Sequence, residues 1–334
     1  MLLNVIWFIL LTVLIIAYAI LEGFDLGVGI LHLFTKRDEH RRIMMNAIGP
    51  VWDGNEVWLI TFGGALFAAF PTAYATVFSA FYTPFMLLLC SLIFRAASLE
   101  FRSKVDSLFW KRIWDFLFSI SSLVATLLLG VAGGNAITGI AINEKGIYIG
   151  NFFSFLNPIG VCTGIFVIVL FALHGSLYLQ FKTEGELNYQ MKQTAKVLSF
   201  LVLILFAVLT SVSFYTVPWA RPNLLTSIAG LFAVLSLALT LLYCWREEGK
   251  LGFFSNVAYI FMLILIFASN MFPYLVRSSI NPAFSLDIYN TASSQKTLTI
   301  MLGIVLAVLP IVLVYTGYVY WVFRGPVKLD ETSY

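Results

Sequence analysis

The chain has 334 residues, of which 60% are hydrophobic and 11% are charged, and its formal net charge is +3. Soluble globular domains average about 25% charged residues, so the composition excludes a soluble domain with a water-facing surface. The small net charge gives no reason to expect a nucleic-acid partner. Apolar runs of about 20 residues, the length that crosses a bilayer core, recur along the chain. The sequence therefore predicts one polytopic membrane domain over residues 1–334.

Hydropathy and proline positions predict an all-α integral membrane protein with nine transmembrane helices. In chain order these are Leu2–Phe34, Trp52–Phe70, Ala73–Arg95, Ile113–Ile137, Pro158–Gln180, Lys196–Val217, Leu224–Trp245, Phe253–Leu275 and Thr297–Phe323. The prolines at predicted helix ends are Pro71, Pro158, Pro218 and Pro222. Pro84 and Pro310 lie inside apolar runs, where membrane helices tolerate a kink. No basic segment precedes the long first apolar run, so we do not expect a cleavable signal peptide.

Basic residues are divided unequally between the two sets of loops that these helices define. Sixteen fall on one side: Lys36, Arg37, Arg41, Arg42, Arg95, Arg102, Lys104, Lys111, Arg112, Lys182, Lys192, Lys196, Arg246, Lys250, Arg324 and Lys328. The other side receives Lys145, Arg221, Arg277 and Lys296. Because cytoplasmic loops carry the excess of Lys and Arg, we expect the N-terminus outside and the C-terminus in the cytoplasm. This orientation requires an odd number of helices, and nine satisfies it.

Two acidic residues lie within the first predicted helix, in the segment LEGFDLGVG. Glu22 and Asp25 are three positions apart and therefore share a helix face. Gly23, Gly27 and Gly29 remove bulk there, which allows another backbone to approach closely. One interpretation is a polar patch near the inner headgroups. The other is a buried, partner-facing acidic pair that serves assembly or proton handling, since ionisable groups inside a membrane are costly.

A second acidic pair opens the second predicted helix, in the segment GPVWDGNEVW. Asp53 followed by Glu56 is typical of a helix start, where carboxylates satisfy free amides and the helix dipole. Trp52 and Trp58 could be ordinary interface anchors. The segment from Thr61 to Phe70 is rich in small residues, which suits tight helix packing or a narrow apolar conduit.

Arg95 closes an apolar helix and could pair with Glu100 or with a carboxylate of the first two helices. The histidines inside predicted helices are His32 and His174. These two could form a haem-binding pair across two helices, but two histidines without further ligands do not favour it. The three cysteines show neither a C-x-x-C motif nor a zinc spacing. On its residues alone, the chain is not expected to bind a redox cofactor firmly.

Several blocks in order along the chain carry a family resemblance. They are LEGFDLGVGIL ending at Leu31, the block from Arg41 to Pro71, LIFRAASLEFRSK, GNFFSFLNPIG, MFPYLVRSS and TASSQKTLTIM. The chain resembles subunit II of cytochrome bd-type quinol oxidases. This resemblance implies two four-helix bundles plus one peripheral helix, paired as a heterodimer with subunit I. It implies that subunit I carries the haems b and d and the quinol site, and that a small single-helix accessory subunit is present.

In the complex that the resemblance implies, quinol is oxidised and dioxygen is reduced to water without proton pumping, in a bacterial or archaeal cell membrane. Asp53 matches an aspartate proposed to help admit protons from the cytoplasm, and Trp58 matches a tryptophan near a proposed oxygen conduit. Glu22, Asp25 and Arg95 match characteristic charged positions. The short connection Pro218–Asn223 suggests a compact variant and puts in doubt a structural quinone held by this subunit.

Two other classes of function stay open on the sequence. A secondary transporter could use Glu22, Asp25 and Asp53 as ion or substrate ligands, although no pair of interrupted helices near the midplane stands out. The chain could also be a purely structural scaffold in the membrane. Haem spectra and quinol-driven oxygen uptake distinguish these three classes.

Overall fold

A computed structural model describes residues 1–217, 219 and 223–329. The predicted helix ends at Pro218 and Pro222, the basic residue Arg221 and most of the predicted connection Pro218–Asn223 lie outside these described residues. The helices are α1 (Leu2–His32), α2 (Asp38–Ile48), α3 (Trp52–Ala69), α4 (Pro71–Ala80), α5 (Tyr82–Phe101), α6 (Leu108–Thr138), α7 (Pro158–Lys182), α8 (Gly185–Thr216), α9 (Leu224–Trp245), α10 (Gly249–Met271) and α11 (Gln295–Val322). Strands β1 (Tyr274–Val276) and β2 (Leu286–Asp287) form a small antiparallel hairpin.

Eight of these helices, α1 and α5 to α11, are long and apolar enough to cross a membrane. The prediction of an all-helical membrane protein is therefore confirmed. The predicted second transmembrane helix is α3, which is not among the eight. Asp53, Asn55 and Glu56 in its first turns lower its apolar character, so the count of nine stays a prediction.

The prediction of one continuous third helix, Ala73–Arg95, is wrong. The structure contains two helices there, α4 and α5, with Phe81 between them at φ −90° and ψ 21°. Pro84 explains the break, because proline has no N–H to donate to the carbonyl of Ala80 and its ring collides with that turn.

Two polar helical segments were not predicted. The short helix α2 buries Met44, Met45, Ala47 and Ile48 against the core while its first turn carries Asp38 and Glu39. Helix α8 begins at Gly185, well before the predicted Lys196, because its first turns are polar and extend beyond the apolar run. Hydropathy detects the membrane-spanning part of a helix, so polar extensions of this kind escape it.

Helix α1 lies at the centre of the packing and contacts α3, α6, α7 and α10. The approach to α7 is closest at Gly27 and Gly175, where a Cβ on Gly27 would lie 1.8 Å from the carbonyl oxygen of Phe171. Small residues at helix crossings in membranes permit such contact. In helix α11, Leu298 is the one buried residue in the described part of the chain.

The loops gather at two opposite ends of the helices. At one end, Arg37 pairs with Glu186 and the N–H of Val327 donates to the carbonyl of Lys182 over 2.9 Å. At the other end, Trp7 donates to the carbonyl of Leu298 over 3.1 Å. The first end carries the basic loops that the charge pattern grouped together. We call it the basic end.

Candidate functional site

Three helices bring charged side chains together inside the protein, towards the basic end. Arg95 on α5 forms an ion pair with Glu22 on α1, and both side chains are fully buried. The other amino group of the Arg95 guanidinium lies 3.3 Å from Glu56 on α3, whose side chain is 17% exposed. The ring of Trp52 lies 5.9 Å from the guanidinium carbon. The sequence left two kinds of partner open for Arg95, and the structure pairs it with carboxylates of the first two predicted helices.

A second buried chain of contacts begins one turn further along α1. The amide of Asn55 on α3 donates to Asp25 over 2.7 Å. The hydroxyl of Tyr320 on α11 in turn donates to the amide oxygen of Asn55 over 2.9 Å. Asp25 and Asn55 are buried. These two hydrogen bonds therefore fix α1, α3 and α11 against one another through polar groups inside the membrane region. We refer to Glu22, Asp25, Asn55, Glu56, Arg95 and Tyr320 as the carboxyl cluster.

The carboxyl cluster contains more acidic groups than cations, because three carboxyl groups face the single guanidinium of Arg95. Burying unpaired charge costs several kcal/mol, so a cluster of this composition is suited to hold protons. One carboxyl oxygen of Asp25 and the hydroxyl of Tyr18 have no hydrogen-bond partner among the described residues. Such groups are the ones that a buried water would satisfy.

The burial of Glu22 and Asp25 excludes the first interpretation made from the sequence and agrees with the second, a buried acidic pair, except that the pair does not face a partner. Neither residue is a solvated headgroup patch, because both are 0% exposed. Neither faces outward to another subunit, because the cluster residues around them belong to α3, α5 and α11 of the same chain. The acidic pair is internal.

Asp53 lies outside this buried group. It is exposed in the first turn of α3, and the residue at the N-cap is Val51, with no side-chain capping bond. The hydrogen-bonded cap considered from the sequence is therefore not formed, and Asp53 is left to interact with the helix dipole. Trp58, one helical turn beyond, is 6% exposed and packs with Leu14 and Tyr18. Glu100 is exposed near the end of α5.

Another charged group lies at the rim of the basic end, where Arg102 and Asp115 are buried and paired instead of solvated in a loop as their sequence context predicts. Asp115 on α6 accepts a hydrogen bond of 2.6 Å from Arg102 and another of 2.9 Å from Arg41. Arg102 also contacts Asp38, at 2.5 Å. Burial raises the pKa of the Asp38 carboxyl, but the hydrogen bond and charge of Arg102 outweigh it, so the pKa lies below its usual range. A count of loop charges could not find these pairs, because their partners are distant in sequence.

The two helical histidines are held in separate structural roles. His174 on α7 contacts the carbonyl of Ile20 at 2.9 Å and the amide of Asn256 on α10 at 3.1 Å. His32 contacts Ser119 at 3.1 Å. Ile20 and His32 are twelve residues apart on α1, which corresponds to about 18 Å. The two histidines therefore cannot ligate one haem between them.

The fold agrees with comparisons with known proteins. The family described as cytochrome bd terminal oxidase subunit II matches residues 3–323. The chain belongs to this family. Subunit 2 of the cytochrome bd-I ubiquinol oxidase of Escherichia coli K12 is 36% identical, over 98% of this chain and 96% of the relative. Subunit 2 of the cytochrome bd ubiquinol oxidase of Bacillus subtilis 168 is 32% identical, over 98% of each chain.

The fold is also that of a solved bd oxidase chain. A chain of the bd oxidase from Geobacillus thermodenitrificans superposes with a TM-score of 0.79 at 15% identity, covering 97% of this chain and 99% of that one. Membership of the subunit II family makes this chain part of an oxidoreductase complex and implies a subunit I partner. It favours the oxidase over the secondary transporter considered from the sequence.

The sequence pointed to Glu22, Asp25 and Arg95 but not to Asn55, which donates to Asp25, or to Tyr320, which donates to Asn55. Asn55 and Tyr320 are 265 positions apart, and no local pattern joins them. Asn55 lies in the same motif as Asp53, so its polar character inside a helix start was the available signal.

Proposed function

We propose that this chain supports a haem-bearing subunit I in oxidising quinol and reducing dioxygen to water, without pumping protons. The match to the subunit II family over residues 3–323 carries this proposal. In the proposed complex, subunit I holds the haems b and d and the quinol, and a small single-helix subunit and membrane lipid complete the assembly. The relatives from Escherichia coli and Bacillus subtilis are named as ubiquinol oxidase subunits, which supports quinol as the reductant.

The contribution that we assign to this chain is access for protons from the cytoplasm. Asp53 is exposed, Glu56 is partly exposed three positions later, and Glu22 and Asp25 are fully buried. The exposure of these carboxyl groups therefore decreases from the surface at the basic end towards the interior of the carboxyl cluster. A carboxyl group can take up a proton on one oxygen and release it from the other, and water at the unpartnered oxygen of Asp25 would extend the route. Arg95 and Asn55 orient the carboxyl groups and are positioning residues.

A second contribution, access for oxygen, rests on α3. Trp58 packs against Leu14 and Tyr18 in an apolar cluster. Beyond it, a Cβ on Gly64 would meet no atom within 4 Å, and one on Gly63 would meet only the ring edge of Phe78 at 3.9 Å. Gly64 is exposed, so this strip of small residues faces the outside of the chain. Dioxygen is small and apolar, and such an apolar strip would conduct it while excluding protons.

We further propose that α3 is the ninth crossing and that the helices form two four-helix bundles with α11 peripheral. In support, α3 begins beside Asp25 and ends where Ser293 donates to the carbonyl of Ala69 over 2.9 Å, at the opposite end of the helices. Nine crossings place the N-terminus outside and the basic end in the cytoplasm of a bacterial inner membrane, as the positive-inside rule requires.

The decisive experiment is to purify the chain with its partner from the native membrane and to record haem spectra and quinol-driven oxygen uptake. The proposal predicts b-type and d-type haem bands together with oxygen uptake that depends on quinol. A purified complex without haem and without oxygen uptake, in which Glu22 or Asp53 variants abolish an ion flux, would instead establish a transporter. Full activity of subunit I in the absence of this chain would reduce the chain to a scaffold.

A further inference from the structure

The rim of the basic end contains a cavity that the proposed function does not use. It has a volume of about 260 Å³ and lies between the end of α1, α2 and the start of α6. One water molecule needs about 10–15 Å³ on this measure, so the cavity has room for a polar group of several atoms. Two arginines, Arg41 and Arg112, and one carboxylate, Asp115, contribute its charged lining.

One cation in the lining of the cavity, Arg112, is not paired with a carboxylate of the described residues. Asp115 already accepts hydrogen bonds from Arg41 and Arg102. Arg112 is exposed and has no ion-pair partner among the residues that the structure describes. Asp115 is the one acidic residue in the lining, so a positively charged group would find no free carboxylate here. The site is complementary to an anion.

A buried polar atom supports the presence of a ligand. His32 lines the cavity and is 0% exposed, yet its Nε2 atom has no hydrogen-bond partner in the described part of the chain. This nitrogen lies 3.4 Å from Asp115, without hydrogen-bond geometry. Its other ring nitrogen contacts Ser119, which also lines the cavity. An oxygen-rich group in the cavity, or water bound with it, would satisfy His32.

The position of the cavity identifies the source of the anion. Helix α1 has 31 residues, which corresponds to about 46 Å, longer than the roughly 30 Å hydrocarbon core. Its end at His32 therefore reaches the depth of the lipid headgroups. Two apolar side chains of the lining, Leu33 at 40% and Phe116 at 58% exposure, form a lip on which an acyl chain can lie.

We propose that this cavity binds the phosphodiester headgroup of an anionic phospholipid, with Arg112 as its principal cation and Phe116 against the acyl chain. Basic pockets between helices at a membrane surface are suited to such headgroups. Arg41 contributes charge but also holds Asp115, so it is not the residue to vary.

The test is a lipid titration of the purified full chain by native mass spectrometry, with phosphatidylglycerol and phosphatidylcholine of identical acyl chains. Arg112→Gln should weaken phosphatidylglycerol binding about fivefold, the effect of one basic residue near a membrane surface, and should leave phosphatidylcholine binding unchanged. Phe116→Ser should weaken it as well. Arg246→Gln is the matched control, because Arg246 is an exposed cation at the end of α9, outside the cavity.

Each alternative outcome contradicts the proposal. An equal loss in Arg112→Gln and Arg246→Gln would indicate general surface charge, and equal binding of both lipids would remove the selection for an anion. Displacement of phosphatidylglycerol by inorganic phosphate at constant ionic strength, with Phe116→Ser unaffected, would make the cavity a free-phosphate site. Because Arg112 and Phe116 are exposed, we expect both variants to unfold at the temperature of the wild type.

Discussion

Arg95 and Glu22 form an ion pair in which neither side chain is exposed, which places a fully desolvated charge pair between α1 and α5. Burial of such a pair does not by itself stabilise a protein, since desolvation offsets much of the attraction. Removal of one member leaves the other charge unpaired in a medium of low dielectric. The pair therefore fixes the arrangement of α1 and α5 and makes each member dependent on the other.

Arg95→Leu should destabilise the protein by about 3–5 kcal/mol, because it leaves Glu22 and Glu56 without their shared cation. The measurement is the free energy of unfolding in detergent, or the yield of assembled complex. The double variant Arg95→Leu, Glu22→Leu should recover part of this loss. Equal loss in the single and the double variant would mean that the two residues do not depend on each other.

Gly27→Ala should disrupt the packing of α1 against α7 more than Gly29→Ala does. A Cβ on Gly27 would lie 1.8 Å from the Phe171 carbonyl oxygen, whereas one on Gly29 would meet the side chain of Ser122 at 2.0 Å. A backbone atom cannot rotate away, so we expect at least about 1–3 kcal/mol for Gly27→Ala.

The readout for the glycine variants is thermal stability and assembly, with the pH profile of activity unchanged. Gly133→Ala on α6 is the matched control, because a Cβ there meets no atom within 4 Å. It should be neutral or slightly stabilising. Normal assembly of Gly27→Ala would show that the two helices are not in contact as described.

His32→Ala and His174→Ala should each leave the haem bands of the assembled complex in place. His174 is hydrogen-bonded to Ile20 and Asn256, and His32 is hydrogen-bonded to Ser119. Because Ile20 and His32 are about 18 Å apart along α1, the two histidines cannot share a haem. The measurement is the reduced-minus-oxidised spectrum. Loss of one haem band from either variant, with the subunits still associated, would assign a haem ligand to this chain.

Asp38 should contribute to stability in a pH-dependent way. Its folded pKa lies below the ordinary value because of Arg102, so the contribution is complete above the unfolded pKa of about 3.9 and is lost as the pH falls through the folded pKa. Asp38→Asn should flatten the dependence of melting temperature on pH in this acidic range. The effect should be small, since the side chain is 59% exposed. An unchanged profile would mean that the contact with Arg102 is absent in solution.

Much of the fold could be predicted from hydropathy, because membrane-spanning helices need long apolar runs. Helix α9 was predicted at its observed bounds, Leu224–Trp245. The break at Phe81 and the polar start of α8 could not be predicted in this way, since one depends on local backbone geometry and the other lies outside the apolar run. Pro84 predicts a kink within one helix, whereas the structure has two helices separated at Phe81.

The sequence identified several residues of the candidate site, but it could not predict which of them are in contact. Charged residues inside apolar segments identified Glu22, Asp25 and Arg95, since burial of such groups is costly. The partners of Arg95 depend on which helices pack together, and no local sequence pattern carries that information. Tyr320 looked like an ordinary aromatic residue of the last helix until the fold placed its hydroxyl against Asn55.

The variant Asp53→Asn is the sharpest test of the proposal that Asp53 admits protons to the carboxyl cluster. The amide preserves the shape of the side chain but cannot exchange a proton at neutral pH. Because the N-cap of α3 is Val51 and Asp53 is exposed, the substitution should cost little stability. Asp106→Asn is the matched control, since Asp106 is also exposed and pairs with Lys111 over 2.8 Å.

The measurement is quinol-driven oxygen uptake by the purified complex across a pH series, with the haem spectrum recorded on the same sample. If Asp53 admits protons, Asp53→Asn should slow turnover by about tenfold or more, with intact haem bands and subunit association, while Asp106→Asn turns over normally. Near-normal turnover of Asp53→Asn at every pH would remove Asp53 from the proton route and leave it as a residue that stabilises the start of α3.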